Sequence, residues 1–529
     1  MRKFWGLFGS LLYLSVVNAA VRAGTFHLSV VDDRDAPLPC RVLIRSESGE
    51  SVTPSDAVTL KIGPDNWFMS SGTSSVPLAE GKFLLRIDRG PEYPRVKEQL
   101  EASGAETKYR VRLNRWINLR ERGYLSGENH LHVAADRLAP MLVCEGLDFG
   151  NSLTWWNGPD AKVPPPTAGS GPIRDLSFAG RVVPTSIYCG ELEKVWGAAY
   201  FQNLPSPMPF KSDAGRPNLG YLRYAIDNGA TVHYQAGWSR EVGLDALLGC
   251  VHVVNVCNNN FHLHRFQPRQ KYSNLLDVPG FRIYENTDEQ MMQMNFDSYY
   301  RLLNWGLRLA AGAESATGAK EVPVGYNRAY VRVPSNATLP QFYAAWAAGK
   351  NFVTNGPMLF LTVAEKEPGD TIELPESGGS LHAVVSALSE QPLKSVELIV
   401  NGDVVKSFDV QDASRVDGTA DLVVPQGSWI AARATARDEL LTDEELKVYA
   451  NGDLQQPSRL RFGHTSPVYV TVGGRRTAVG KSIDEGLRML HHLELYARDK
   501  ASPEYLPSTL EAISQGRRIL EERKAESAR

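Results

Sequence analysis

A change of rhythm at residue 123 constrains this chain more than any other feature. Residues 123–157, GYLSGENHLHVAADRLAPMLVCEGLDFGNSLTWWN, read as a short strand ending in Asn129-His130-Leu131-His132, a helical run, and a second strand after Gly146-Leu147-Asp148. Alternate residues of a strand point the same way, so His130 and His132 project together from one face. Two neutral imidazoles at that spacing, where a strand gives way to a loop, suit a divalent metal. The competing reading is a pair of strand histidines hydrogen-bonded beside a barrel mouth. Onward to residue 357, strands and helices alternate in the pattern of an α/β barrel. Strands are expected at 130–133, 149–155, 181–188, 231–234 and 252–256, with two more at 308–311 and 329–333. Helices are expected at 217–228, 241–248, 288–305 and 339–348. In such barrels the chemistry sits where strands meet the following loops. Residues 159–172, rich in Pro, Gly and Ala, read as a loop able to serve as a lid there.

The flanks have a different rhythm. Residues 26–32, 40–45, 82–88 and 108–113 are short strands between Gly-, Ser-, Pro- and Asp-rich loops, a small N-terminal β-sandwich over 24–118. After Gly356-Pro357, strands at 359–363, 380–387, 395–400, 429–436 and 468–472 suggest an immunoglobulin-like sandwich over 358–476. Asn401-Gly402 marks a tight hairpin, because both residues tolerate left-handed backbone. Residues 477–529 read as helical, with capping boxes expected at Ser482/Glu485 and Ser508/Glu511. Ile483, Leu487 and Leu490 give the first helix an apolar stripe, and Leu510 and Ile513 begin one on the second. His491-His492, inside the first helix, reads as surface. The fold class is therefore multidomain, α/β plus β, with the barrel over 119–357.

The ends and the composition narrow the function classes. Met1-Arg2-Lys3, an apolar run over 4–17 and small residues over 19–23 read as a secretory signal peptide over 1–23. The run is shorter than the roughly 20 residues a bilayer span needs, and no later stretch qualifies, so no stable membrane span is expected after signal removal. The mature chain is expected outside the cytoplasm, periplasmic or extracellular. A net charge of −3 over 529 residues gives no basic face for nucleic acid. Five scattered cysteines, Cys40, Cys144, Cys189, Cys250 and Cys257, make no CxxC pair. They read as buried thiols, Cys250–Cys257 being the pair best placed for a single bridge.

The succession strand, HxH, helix, GLD and strand resembles the opening of the polymerase-and-histidinol-phosphatase (PHP) superfamily, and most of all the CehA/McbA-type metallohydrolases. The resemblance runs from about Gly123 to Pro357. It passes through Asn255-Val256-Cys257-Asn258-Asn259-Asn260, Tyr299-Tyr300-Arg301-Leu302-Leu303-Asn304-Trp305-Gly306 and Leu309-Ala310-Ala311-Gly312-Ala313, and ends at Asn351-Phe352-Val353-Thr354-Asn355-Gly356-Pro357. It implies a distorted (β/α)7 barrel and a divalent metal, zinc first, with manganese or iron as alternatives.

The resemblance also implies site residues. His130 and His132 match the first family motif. Thr154-Trp155-Trp156-Asn157 stands where the family carries Thr-Asp-His, so two ligands are missing. Trp155, Trp156 and Asn157 become substrate-contacting candidates, with plain barrel packing as the alternative. Glu191 fits the family carboxylate; otherwise it is a strand-end salt bridge with Lys194. Gln235 stands at a family histidine and is a substrate-binding candidate, with His233 two residues earlier as a displaced ligand or catalytic residue. Glu314 lies near the family aspartate that follows Ala-Gly. Asp136 resembles a rim carboxylate, a general base or else the cap of a helix beginning at Arg137. Beyond the 252–256 strand, Asn260, His262, His264 and Arg265 gather a second HxH and a guanidinium that suits an anionic group; a solvated loop is the alternative.

Two functions follow. The first is an exported metal-dependent hydrolase. Its metal, on His130, His132 and Glu191, brings the pKa of bound water from about 15.7 to about 7 for attack on an ester, carbamate or phosphoester. The second is a catalytically lapsed barrel that binds carbohydrate or another small extracellular ligand.

Overall fold

The computed structural model describes residues 24–103, 106–159, 171–266, 278, 280–449 and 456–527. The expected signal peptide, and most of the loop read as a lid, lie outside them. Strands dominate over helices, in a β-rich multidomain arrangement.

The N-terminal body is two facing sheets. One has three strands, with Gly24–Val31 between Thr73–Leu78 and Glu106–Arg112; the other has five, centred on Cys40–Ser46 and Gly81–Asp88. Phe26, Val42, Ile44, Phe68 and Leu85 fill the space between them.

The middle of the chain builds a sheet in the order Gly150–Trp156, Arg181–Lys194, Gly197–Gln202, Thr231–Tyr234, Val253–Cys257, Ala310–Ala313. Most neighbours are parallel, but Gly197–Gln202 runs antiparallel to both of its own. That strand was not expected. It is buried on both faces, so no polar alternation announces it. The expected strand at 130–133 is not one. The regular strand is Tyr124–Gly127, and the HxH that follows is an extended segment held by a single parallel bridge, Leu131 to Thr317. Backbone hydrogen bonds carry this segment between the two sheet edges. Leu153 N–H donates to Leu131 O (2.9 Å), Ala316 N–H to His130 O (3.0 Å) and His132 N–H to Thr317 O (2.8 Å). The sheet thus closes on itself through the two histidines. Gly318 (φ +97°) lies so near that a Cβ there would stand 2.1 Å from His132 O.

The strand expected at 329–333, observed as Arg328–Arg332, stands outside this ring. With Tyr124–Gly127 and Asn351–Thr354 it joins a nine-stranded sheet that continues through Leu460–Thr465 and Ser428–Arg437, so one sheet runs across residue 357. The Asn401-Gly402 turn is present, with φ of +54° and +97°. The helix Gly480–Lys500 packs Ile483 and Leu490 into the central core, Leu487 being only partly covered, and Leu506–Ser527 adds Ile513 and Leu520. Neither expected capping box forms. Ser482 is inside its helix and accepts from Asn304 Nδ2 (3.1 Å), Glu485 is taken by Arg301 (2.6 Å), and Ser508 donates to Tyr505 O. All five cysteines are buried and free, so Cys250 and Cys257 form no bridge.

Candidate metal centre

The HxH segment and the strand Arg181–Lys194 place three donors together. His130 Nε2 and His132 Nε2 are 2.8 Å apart, and Glu191 Oε2 is 3.2 Å from the first and 3.0 Å from the second. All three side chains are nearly inaccessible to solvent (2–5% exposed). They are the one group of three or more His, Cys, Asp or Glu among the described residues able to hold a metal ion. The donor chemistry fits. Two imidazole nitrogens and a carboxylate oxygen form a triangle slightly tighter than the edge of roughly 3.3 Å that zinc bonds of about 2.0–2.1 Å would give. Glu191 makes no salt bridge with Lys194, whose ammonium instead reaches Asp213 O.

Electrostatics agree with this reading. Burial by itself would raise the Glu191 carboxyl, but the two imidazoles hold it down at about 2. Burial opposes charge on His130, yet Glu191 and Glu314 raise its pKa to about 10. A metal would take the place of that proton and release it.

Glu314 is not in the triangle. Its Oε2 accepts from His130 Nδ1 at 2.8 Å, on the side of the ring away from the donors, while Oε1 faces the Asn259 N–H (3.3 Å). A carboxylate that fixes a ligand histidine's tautomer in this way belongs behind a metal site. The expectation that Glu314 is a ligand is corrected accordingly.

Several other expected site residues fall elsewhere. His233 is fully buried, its Nδ1 accepting from Asn129 Nδ2 (2.6 Å) and its ring edge-on to Trp346, and burial holds it neutral. It takes no part in the metal triangle. Asp136 is exposed in the first turn of the helix Ala135–Cys144, which begins two residues earlier than expected and has no side-chain cap. Trp155 is core, its indole donating to Phe210 O (2.8 Å). Asn157 (φ +56°) clamps Glu193 through a reciprocal pair of 3.0 Å hydrogen bonds. Gln235 donates to Asn259 (3.2 Å). Residues 258–264 are buried rather than a solvated loop. Asn260 N–H bonds Asn258 Oδ1, His262 N–H bonds Arg265 O, and His264 O accepts from Ser458 N–H. Burial lowers the pKa of both histidines, and Arg265 faces Glu321 at 3.6 Å.

Trp156 remains beside the donors. Its ring tilts against His132 with centroids 4.6 Å apart, and its Nε1 donates to Glu193 Oε2 (3.1 Å). Sequence reasoning missed Tyr200, whose ring lies 4.4 Å from that of His130, and Lys320, which is electrostatically coupled to Glu193 and Glu191. Tyr200 sits on the unexpected reversed strand, so its place was not readable. The chain matches no protein-family model, no curated protein and no solved structure.

Proposed function

We propose that this chain is an exported metal-dependent hydrolase of the CehA/McbA type, its central body a PHP-like barrel holding one divalent ion, zinc first, on His130, His132 and Glu191. The observation that carries this reading is the convergence of two imidazole nitrogens and one carboxylate oxygen to within 3.2 Å of one another in a buried cluster. A metal there supplies Lewis acidity and lowers the pKa of water enough for hydrolysis near neutrality. The protein's own groups then have distinct tasks. Glu314 keeps the proton of His130 on Nδ1, so that Nε2 offers its lone pair to the ion. Trp156 covers one side of His132 and presents an apolar wall to an ester, carbamate or phosphoester. Lys320, its pKa lowered mainly by burial, brings positive charge toward the carboxylates.

The partly exposed indole of Trp156 favours a second reading, a lapsed barrel that binds a carbohydrate-like ligand by stacking. No helix among the described residues is long and apolar enough to cross a membrane. Elemental analysis of purified protein separates the two readings. About one zinc, manganese or iron per chain, lost in a His130→Ala/His132→Ala variant that still folds, is the expected result, together with turnover of an aryl ester, carbamate or phosphoester. Folded wild-type protein that stays metal-free after zinc dialysis, yet binds sugars, would overturn the hydrolase.

A further inference from the structure

A second site lies away from the histidines, where the N-terminal sheets, the helix Ala135–Cys144 and the C-terminal sandwich meet. It is a cleft of about 90 Å³, part of it open to solvent, where about 10–15 Å³ by the same measure suffices for one water molecule. Arg41, Asp88, Glu145, Tyr326 and Arg328 line it, with apolar surface from Pro91, Leu263 and Pro323.

The polar wall is incompletely satisfied. Arg41 spends Nε on Glu145 Oε1 (2.6 Å) and Nη2 on Asp88 Oδ2 (2.8 Å). Arg328 spends Nε on Gly325 O (2.5 Å) and Nη1 on Glu145 O (3.0 Å). Arg41 Nη1, Arg328 Nη2, Asp88 Oδ1 and the Tyr326 hydroxyl are left buried with no hydrogen-bond partner among the described residues. The three charged side chains are 1–4% exposed. Unpaired buried donors and acceptors cost free energy, and natural structures seldom keep several in one place without a use. Both guanidiniums are tied to the same residue, Arg41 to the carboxylate of Glu145 and Arg328 to its carbonyl, and all three residues line the cleft. Asp88 stands against Arg41, so the spare acceptor belongs to the direct partner of one spare donor.

Charge balance selects the ligand class. The guanidiniums of Arg41, Arg95, Arg328 and Arg461 line the cleft with the carboxylates of Asp88, Glu145 and Glu390, and Asp438, outside the lining, neutralises Arg95 and Arg461. A wall with that balance favours a ligand of no net charge over a free anion. Spare donors beside a spare acceptor call for a negative and a positive group on neighbouring atoms. We infer that this cleft binds a free α-amino acid with an apolar side chain, its carboxylate on Arg41 and Arg328 and its ammonium on Asp88. The side chain would lie on Pro91, Leu263 and Pro323, and the Tyr326 hydroxyl would complete the carboxylate's contacts. Water satisfying the same atoms one by one is the competing occupant.

Calorimetric titration of the full chain tests this with L-leucine and L-phenylalanine, beside the single-charge analogues 4-methylpentanoate and 3-methylbutylamine. The expected result is saturable binding of an amino acid, at least tenfold weaker for each analogue, and unchanged by chelator because no metal is involved. Arg328→Lys should weaken binding at least tenfold. Should that variant misfold, Tyr326→Phe, which deletes one hydroxyl, should weaken it severalfold at unchanged melting temperature. No saturation by either amino acid at millimolar concentration, or equal binding of the analogues, would overturn the assignment. Since chelator is present, that failure is separable from any failure of the hydrolase reading.

Discussion

His130 donates from Nδ1 to Glu314 Oε2 across 2.8 Å, and this one contact decides which ring nitrogen faces His132 and Glu191. A carboxylate can only accept, so the proton stays on the Glu314 side and Nε2 is left for a metal. Glu314→Gln removes the charge but keeps the shape, and the amide can present its N–H₂ to the ring and favour the wrong tautomer. Metal affinity should fall about 10–100-fold, as is usual when such a partner is lost. Chelator competition measures this directly. Affinity within twofold of wild type would rule out the orienting role.

Trp156 is coupled to the same cluster from the other side. Its ring centroid lies 4.6 Å from that of His132. Cobalt bound to His132 should quench this indole, because its partly filled d shell accepts excitation energy at short range. The quenching amplitude should drop markedly in Trp156→Phe, which keeps the aromatic contact while removing the emitter. Equal quenching in both proteins would place the ion away from His132.

Local pattern made the two histidine donors legible, while tertiary contacts decided what surrounds them. Alternation along an extended segment needs no regular strand, so His130 and His132 face one way although the pairing there is a single bridge. Glu191 was singled out only through the family resemblance, as the carboxylate after Ile187-Tyr188-Cys189-Gly190. The role of Glu314 was not legible, because ligand and ligand-orienter differ only in which ring nitrogen of His130 they face, which residue type does not encode. Gly197–Gln202 escaped notice because a strand buried on both faces shows no period of two. Ser482 and Glu485 have the spacing of a capping box, but packing moved the helix start to Gly480 and gave both side chains other partners, Asn304 and Arg301. For 258–264 a solvated loop stayed open as an alternative because Asn258, Asn259 and His264 find partners, Asn295, Glu314 and Ser458, that are far away in sequence.

Asp438 clamps the N-terminal body to the nine-stranded sheet. It accepts from Arg95 Nη1 (2.7 Å) and Nη2 (3.1 Å) and from Arg461 Nη2 (2.9 Å), and its side chain is wholly buried. Burial opposes its charge, but the two guanidiniums hold its pKa below the usual carboxylate range. Asp438→Asn should therefore be strongly destabilising, about 3–5 kcal/mol, because Arg461 loses its carboxylate partner and Arg95 keeps only Glu390. Urea unfolding monitored by tryptophan emission reads the loss. A change below about 1 kcal/mol would show that the clamp contributes little.

A pair of acids beneath the helix Leu219–Asp227 should set the pH response. Glu241 accepts from Asn218 N–H (2.6 Å) and Leu219 N–H (3.3 Å), while the Tyr234 hydroxyl donates to Asp245 Oδ2 (2.5 Å). Burial raises both pKa values, Glu241 to about 7 and Asp245 well above its ordinary value, with the negative charge of Glu241 adding to the latter. Backbone amides and Lys194 oppose the rise at Glu241, and Tyr234 and Arg223 oppose it at Asp245, without cancelling it. The native state therefore holds protons that the unfolded chain has already released. That stabilisation is complete below the unfolded values near 4, and is lost as pH rises through about 7 and beyond. Each retained proton is worth about 1.4 kcal/mol per pH unit across that window. In Asp245→Asn one of the two groups no longer titrates, so the decline of stability from pH 5 to pH 8 should be shallower than in wild type. Urea midpoints at four pH values, with chelator throughout, give both slopes. Parallel slopes would mean that the buried pair does not govern the response.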